Sequence, residues 1–93
     1  MKAVFNNMII AKSSETIVVE GNHYFPPQDV VREYLEESAF TTTCPWKGKA
    51  SYYHVQVHHQ VSENAAWYYP APKEKAAHIK DYVAFWKDVK VVE

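Results

Sequence analysis

A single cysteine, Cys44, and only two glycines, Gly21 and Gly48, stand in this sequence, and no apolar run is long enough to cross a bilayer. One cysteine cannot form an internal disulfide, so no disulfide framework staples the chain, and that usage fits a reducing compartment. Behind Met1-Lys2-Ala3-Val4-Phe5 there is no apolar stretch of about 7–15 residues to act as a secretory leader, and nothing approaches the roughly 20 apolar residues of a membrane helix. A cytoplasmic location without membrane contact is therefore expected. Charge of one sign is missing too: Lys and Arg number 10 against 11 for Asp and Glu, which leaves no long-range field to gather nucleic acid or an anionic surface. Repeats, linkers and low-complexity tracts are absent. The 93 residues are read as one domain, 1–93, because so short a chain cannot divide its apolar content between two cores.

Aromatic residues are plentiful instead. They make up 15% of the chain within an apolar share of 47%, enough to fill a core without a disulfide or a structural metal. Met8 to Lys12 is apolar, Ser13-Ser14-Glu15 breaks the run, and Thr16 to Tyr24 is β-branched with a two-residue alternation. This predicts a β-hairpin, with Gly21-Asn22 as a bulge or bend in its second strand. From Pro26 the period turns helical, with Val30, Val31, Tyr34, Leu35 and Ser38/Ala39 opposing Arg32, Glu33, Glu36 and Glu37. A three-turn amphipathic helix is predicted, with Pro27 and Asp29 in its first turn and its end near Glu37.

Lys49 to His59 sets Tyr53, Val55, Val57 and His59 against Tyr52, His54, Gln56 and His58, the alternation of a half-buried strand. A polar turn at Val61–Asn64 and a partner strand at Ala65–Tyr69 follow, ending where Pro70-Ala71-Pro72 forbids further ladder donation. Lys73–Lys80 has room for one or two helical turns, and Tyr82–Trp86 with Val89–Val92 predicts a closing hairpin around Lys87-Asp88. The expected fold is α+β and mainly β: a small antiparallel, strongly twisted or barrel-like sheet of hairpins, with one amphipathic helix and one short helix.

The densest chemistry lies in TTTCPWKGKASYY, Thr41 to Tyr53, expected to be a corner from helix to strand. Pro45 biases Cys44 toward an extended backbone, Gly48 permits a sharp turn, and Lys47 is close enough in sequence to stabilise a thiolate. Cys44 and Lys47 are thus the candidate catalytic pair, against the plainer reading of Cys44 as a buried filler. No histidine among His23, His54, His58, His59 and His78 is placed near Cys44 by the sequence, although a reactive thiol needs a base. Pairing of the two later strands would gather Tyr53 with Trp67 and with Tyr68 or Tyr69, depending on register, into a pocket wall or a core.

Metal binding is not expected. His54 and His58 lie about 13 Å apart at roughly 3.4 Å per strand residue, and there is no Cys-x-x-Cys pair and no His-x-x-x-His on a helix. Lys47 and Lys49 interleave with Trp46, Tyr52 and Tyr53 in the mixture that stacks bases, but two lysines make a small patch and a nucleic-acid role is disfavoured.

The blocks EGNHYFPPQDV, TTTCPWKGKASYY, AAWYYPAP and IKDYVAFW, in this order and at this spacing, resemble the family known as domain of unknown function 427, labelled in places as a nucleotidyltransferase. The resemblance runs over nearly the whole chain. It implies a small β-rich fold without an established activity, and its recurrent positions map onto Tyr24, Phe25, Pro26, Cys44, Trp46, Lys47, Gly48, Tyr52, Tyr53, Trp67, Tyr69 and Pro70. Nucleotidyl transfer itself would call for clustered carboxylates to hold Mg²⁺, whereas Asp29, Asp81 and Asp88 are dispersed and no glycine-rich phosphate loop is present. The preferred reading is a small polar or aromatic ligand bound without a cofactor, with Tyr24, Trp46, Gly48, Tyr52, Tyr53, Trp67 and Tyr69 as ligand-binding candidates. An enzyme using Cys44 as a thiolate and a homodimer or protein-interaction module are the alternatives.

Overall fold

The computed structural model describes all residues 1–93. Nine strands dominate it: β1 (Lys2–Phe5), β2 (Met8–Lys12), β3 (Ile17–Val19), β4 (Asn22–Tyr24), β5 (Leu35–Cys44), β6 (Gly48–Val57), β7 (Gln60–Tyr68), β8 (Val83–Phe85) and β9 (Lys90–Val92). They form a three-stranded sheet in the order β2-β1-β9, the two-stranded β3-β4, and a four-stranded sheet in the order β5-β6-β7-β8. All strand pairs are antiparallel. The mainly-β expectation stands, in open sheets rather than a barrel, and no helix is long and apolar enough to cross a membrane.

Tight turns with positive φ at both central residues make three of the hairpins, the form whose twist matches the flanking strands. Asn6-Asn7 joins β1 to β2, Glu20-Gly21 joins β3 to β4, and His58-His59 joins β6 to β7. Gly21 is therefore the second turn residue, not a bulge, and the turn predicted at Val61–Asn64 lies instead at His58-His59, so both histidines leave the strand. The expected pairing of Met8–Lys12 with Thr16–Tyr24 is replaced by β1-β2 and β3-β4. Tyr82–Trp86 and Val89–Val92 do not pair with each other: β8 adds to β7, and β9 adds to β1.

The predicted amphipathic helix does not form. Pro27–Asp29 and Arg32–Tyr34 are single 3₁₀ turns, and Leu35 opens the ten-residue strand β5. A lone three-turn helix is marginal by itself, while this segment has strand partners on both sides. Val31 N–H donates to the Ile10 carbonyl at 2.9 Å, buried Val30 bridges Ala11, and Leu35 pairs with Val55. Helical spacing of apolar residues is overridden by ladder bonds that a helix would forfeit. The short helix predicted at Lys73–Lys80 appears as a 3₁₀ helix, Glu74–Ile79, which buries Ala76 and Ile79.

Alternation along β6 divides the core between the two faces of the four-stranded sheet. Tyr53, Val55 and Val57 join Ala66, Val83 and Phe85 against Ala3, Phe5, Ile10 and Ala11 of the three-stranded sheet. Ala50 and Tyr52 turn the other way, with Tyr69 and Ala84, toward Tyr24, Ala76 and Ile79. This second face is covered by the β3-β4 hairpin and the 3₁₀ helix. Phe25 continues β4 and exchanges hydrogen bonds of 2.8 and 2.9 Å with Val83, which fastens the hairpin to the edge of the sheet.

Candidate functional site

The Cys44-to-Gly48 stretch is a three-residue hairpin loop between β5 and β6, closed by the Cys44–Gly48 pair, rather than a corner from helix to strand. A second segment clamps it: Lys73 N–H donates to the Lys47 carbonyl at 2.9 Å, and Lys73 Nζ donates to the Pro45 carbonyl at 2.7 Å. Gly48 sits at φ +112°, and a Cβ there would lie 3.4 Å from Lys73 N and 3.5 Å from the Ala71 carbonyl. Its backbone angle favours glycine, whereas a Cβ would meet Ala71–Lys73 only at ordinary van der Waals distance.

The loop turns Lys47 inward. The residue is only 7% exposed, and its ammonium forms an ion pair with the Glu20 carboxylate at the tip of the β3-β4 turn. The same ammonium lies 5.4 Å from the Trp46 ring centre and 5.6 Å from that of Tyr69, both within cation–π range. Trp46 Nε1 donates to the second Glu20 oxygen at 3.4 Å. Burial opposes the charge on Lys47, but the bond to Glu20, aided by Tyr24 and Tyr69, outweighs it and holds the ammonium above its ordinary pKa. Glu20 is correspondingly lowered, first by the Lys47 bond and then by Trp46. Burial raises Tyr24 and Tyr69, with Lys47 acting against it in both cases.

Beside this ion pair opens a cavity of about 240 Å³ lined by Lys47, Tyr52, Trp67, Tyr69 and Trp86. Its aromatic walls are braced from behind. Trp67 Nε1 donates to the Tyr24 hydroxyl at 3.1 Å, and the two rings meet edge-on at 6.1 Å. The Tyr52 hydroxyl bonds Thr42 Oγ1 at 3.0 Å, and Phe40 packs on the Tyr52 ring at 4.9 Å. Trp86 stands perpendicular to Trp67 at 5.9 Å and donates to the Asn64 carbonyl at 2.6 Å. Irregular pairing in β5 and in β7 supports this arrangement: between Glu37 and Thr41 the β5 register shifts, as does the β6-β7 register beside Tyr53. Ser38 and Asn64 tie the two irregular stretches together with a hydrogen bond of 2.5 Å. Bulges of this kind re-aim side chains beside functional sites.

Of the residues singled out in sequence, Lys47, Tyr52, Trp67 and Tyr69 line the cavity, Tyr24 backs it, and Trp46 and Gly48 shape the loop that delivers Lys47. Tyr53 lies elsewhere: it pairs with Ala66, faces the opposite core, and stacks on Tyr68 at 4.6 Å with Arg32 5.6 Å from its ring centre. The register settles the choice between neighbours, since Tyr52 pairs with Trp67. Cys44 is half-buried against the cluster of Tyr24, Tyr52 and Tyr69. His23 bonds Thr16 Oγ1, and His54 accepts from Asn64 N–H, so neither of these histidines is spent on Cys44. No three His, Cys, Asp or Glu side chains gather as a metal-ligand group.

Two members of the site were missed. Trp86 shares a sheet face with Ala84 by the two-residue rule, a signal present in DYVAFW. Glu20 carries no local signal, because its partner is 27 positions away. Among curated proteins no match to the chain is found. The family described as a domain of unknown function (DUF427) matches residues 1–93, and the chain belongs to that family.

Proposed function

We propose that this domain binds a small, ring-containing molecule in the cavity between Lys47 and Trp86, stacked on Trp67 and steered by the Lys47 ammonium and the Tyr52 and Tyr69 hydroxyls. The observation that carries this reading is a nearly buried lysine delivered by a clamped loop into an otherwise aromatic cavity. A buried ammonium is costly to maintain for packing alone, and convergent polar groups in an apolar concavity are the usual make-up of a ligand site. At about 240 Å³ the space lies below the roughly 300–1,000 Å³ of drug-sized sites, which favours a ligand the size of a single ring system. Cys44 does not line the cavity, so the reading needs no covalent step.

A thermal-shift panel of phenol, indole, benzoate and benzamide tests it. A member present at about a hundred times its Kd adds roughly 2.7 kcal/mol of stability, which raises Tm by roughly 10 °C or more for a domain of this length. The shift is expected to vanish in Trp67→Ala and to persist in Cys44→Ala. Absence of any shift up to solubility, or a shift indifferent to Trp67→Ala, would refute the proposal. Loss of the response in Cys44→Ala alone would favour the thiolate reading.

A further inference from the structure

We infer that the ligand is a planar molecule bearing a carboxylate, and that its carboxylate takes the position on Lys47 that Glu20 holds in the free protein. The inference rests on the cavity reading above and adds the ligand's chemical class and the group it displaces. Of the five residues around the cavity only Lys47 is charged, and the other four are aromatic. A cation is opposed by the ammonium and a neutral ring leaves it unused, whereas an anionic ring engages both kinds of wall.

The Glu20 contacts, beside the cavity, show how a carboxylate docks on Lys47. One oxygen accepts from Lys47 Nζ and the other from Trp46 Nε1 at 3.4 Å, a two-point grip supplied by adjacent residues of the clamped loop. Glu20 is also the partner more readily exchanged. Its side chain is 52% exposed against 8% for that of Lys47, and it rides on a two-residue turn between strands of three residues each. Once released, the Glu20 carboxylate returns to water at little cost, but Lys47 left without an anion would be a buried, unpaired charge. The site therefore exchanges one carboxylate for another, and Glu20 serves as its internal occupant.

Calorimetric titration of wild type and Glu20→Gln with benzoate, and with benzamide as the neutral isostere, tests this. The amide of Glu20→Gln competes more weakly for the ammonium, so benzoate affinity is expected to rise by about three- to fivefold while benzamide affinity stays unchanged. Lys47→Met, which keeps the stem, is expected to lose the preference for benzoate over benzamide. Should Lys47→Met not fold, the half-exposed Glu20→Gln position decides alone. Equal or weaker benzoate binding in Glu20→Gln overturns the displacement, and benzamide binding as tightly as benzoate to both proteins overturns the anionic class; either result leaves the cavity reading standing. No binding of either compound to either protein overturns the inference, and the cavity reading falls with it only where phenol and indole also fail to bind.

Discussion

Tyr24 and Trp67 show how much a single hydroxyl holds at this site. Tyr24 is fully buried, and its oxygen is the acceptor for the indole N–H of Trp67, the ring that forms the cavity wall. Removing the hydroxyl leaves that donor without its partner, at a cost of about 1–2 kcal/mol because Trp67 is only half-buried. Tyr24→Phe is accordingly expected to lower the unfolding free energy by that amount, read as a fall in the urea midpoint with an unchanged m value. Tryptophan emission should shift as the indole loses its bond. An unaltered midpoint would mean that water replaces Tyr24 as the acceptor. At the same scale Gly48 and Lys47 are adjacent but opposite in role: the first gives the loop its backbone angle, and the second uses that angle to enter the cavity.

Hairpin turns set the register that brings Tyr52, and not Tyr53, to the site. The β6-β7 turn does so with two histidines at φ +49° and +68°, a conformation that asparagine and glycine adopt at far lower cost. Replacing His58-His59 by Asn-Gly is expected to stabilise the protein by about 1 kcal/mol, read from chemical denaturation, while leaving the cavity response unchanged. Destabilisation would mean that the imidazoles contribute contacts that outweigh the strain of their backbone. The 3₁₀ turns at Pro27–Asp29 and Arg32–Tyr34 belong to the same scale. They carry the chain from the Phe25–Val83 bridge to β5 while letting Val30 and Val31 pair with β2.

The molecule as a whole is a four-stranded sheet with its two faces differently used: one is sealed by the three-stranded sheet, and the other is only partly covered, which leaves the cavity open. Its tyrosines report on both faces. Tyr24 and Tyr69 behind the cavity are raised by burial. On the opposite face Tyr68 is pushed from 10.0 to about 12, by burial first and then by Tyr53. A phenol whose pKa is higher folded than unfolded keeps its full contribution to stability below the unfolded value and loses it as pH climbs through the folded one. Unfolding free energy is thus expected to decline between pH 10 and about 12, with tyrosinate absorbance of the native protein lagging behind that of unfolded chain. Tyr68→Phe should flatten part of the decline, and an unchanged slope would contradict the assignment. The Glu20–Lys47 pair contributes between the ordinary pKa values of its members, 4.5 and 10.5. Its share fades as pH falls through the lowered Glu20 value or rises through the raised Lys47 value.

What the sequence determined by itself is what alternation and composition encode. These are a mainly-β chain, the burial of Tyr53, Val55 and Val57 on one side of β6, and the stop at Pro70-Ala71-Pro72. Each follows from neighbours within a few positions, where the two-residue period or a proline acts directly. The tertiary structure alone decided that Pro26–Glu37 is not a helix, because apolar spacing at 30, 31, 34 and 35 satisfies either a helix or a chain that pairs with β2 and β6. It alone chose Tyr52 over Tyr53, since a one-residue shift exchanges the faces of a strand. Glu20 met Lys47 only on folding, for an ion pair between residues so far apart leaves no periodic trace in the chain.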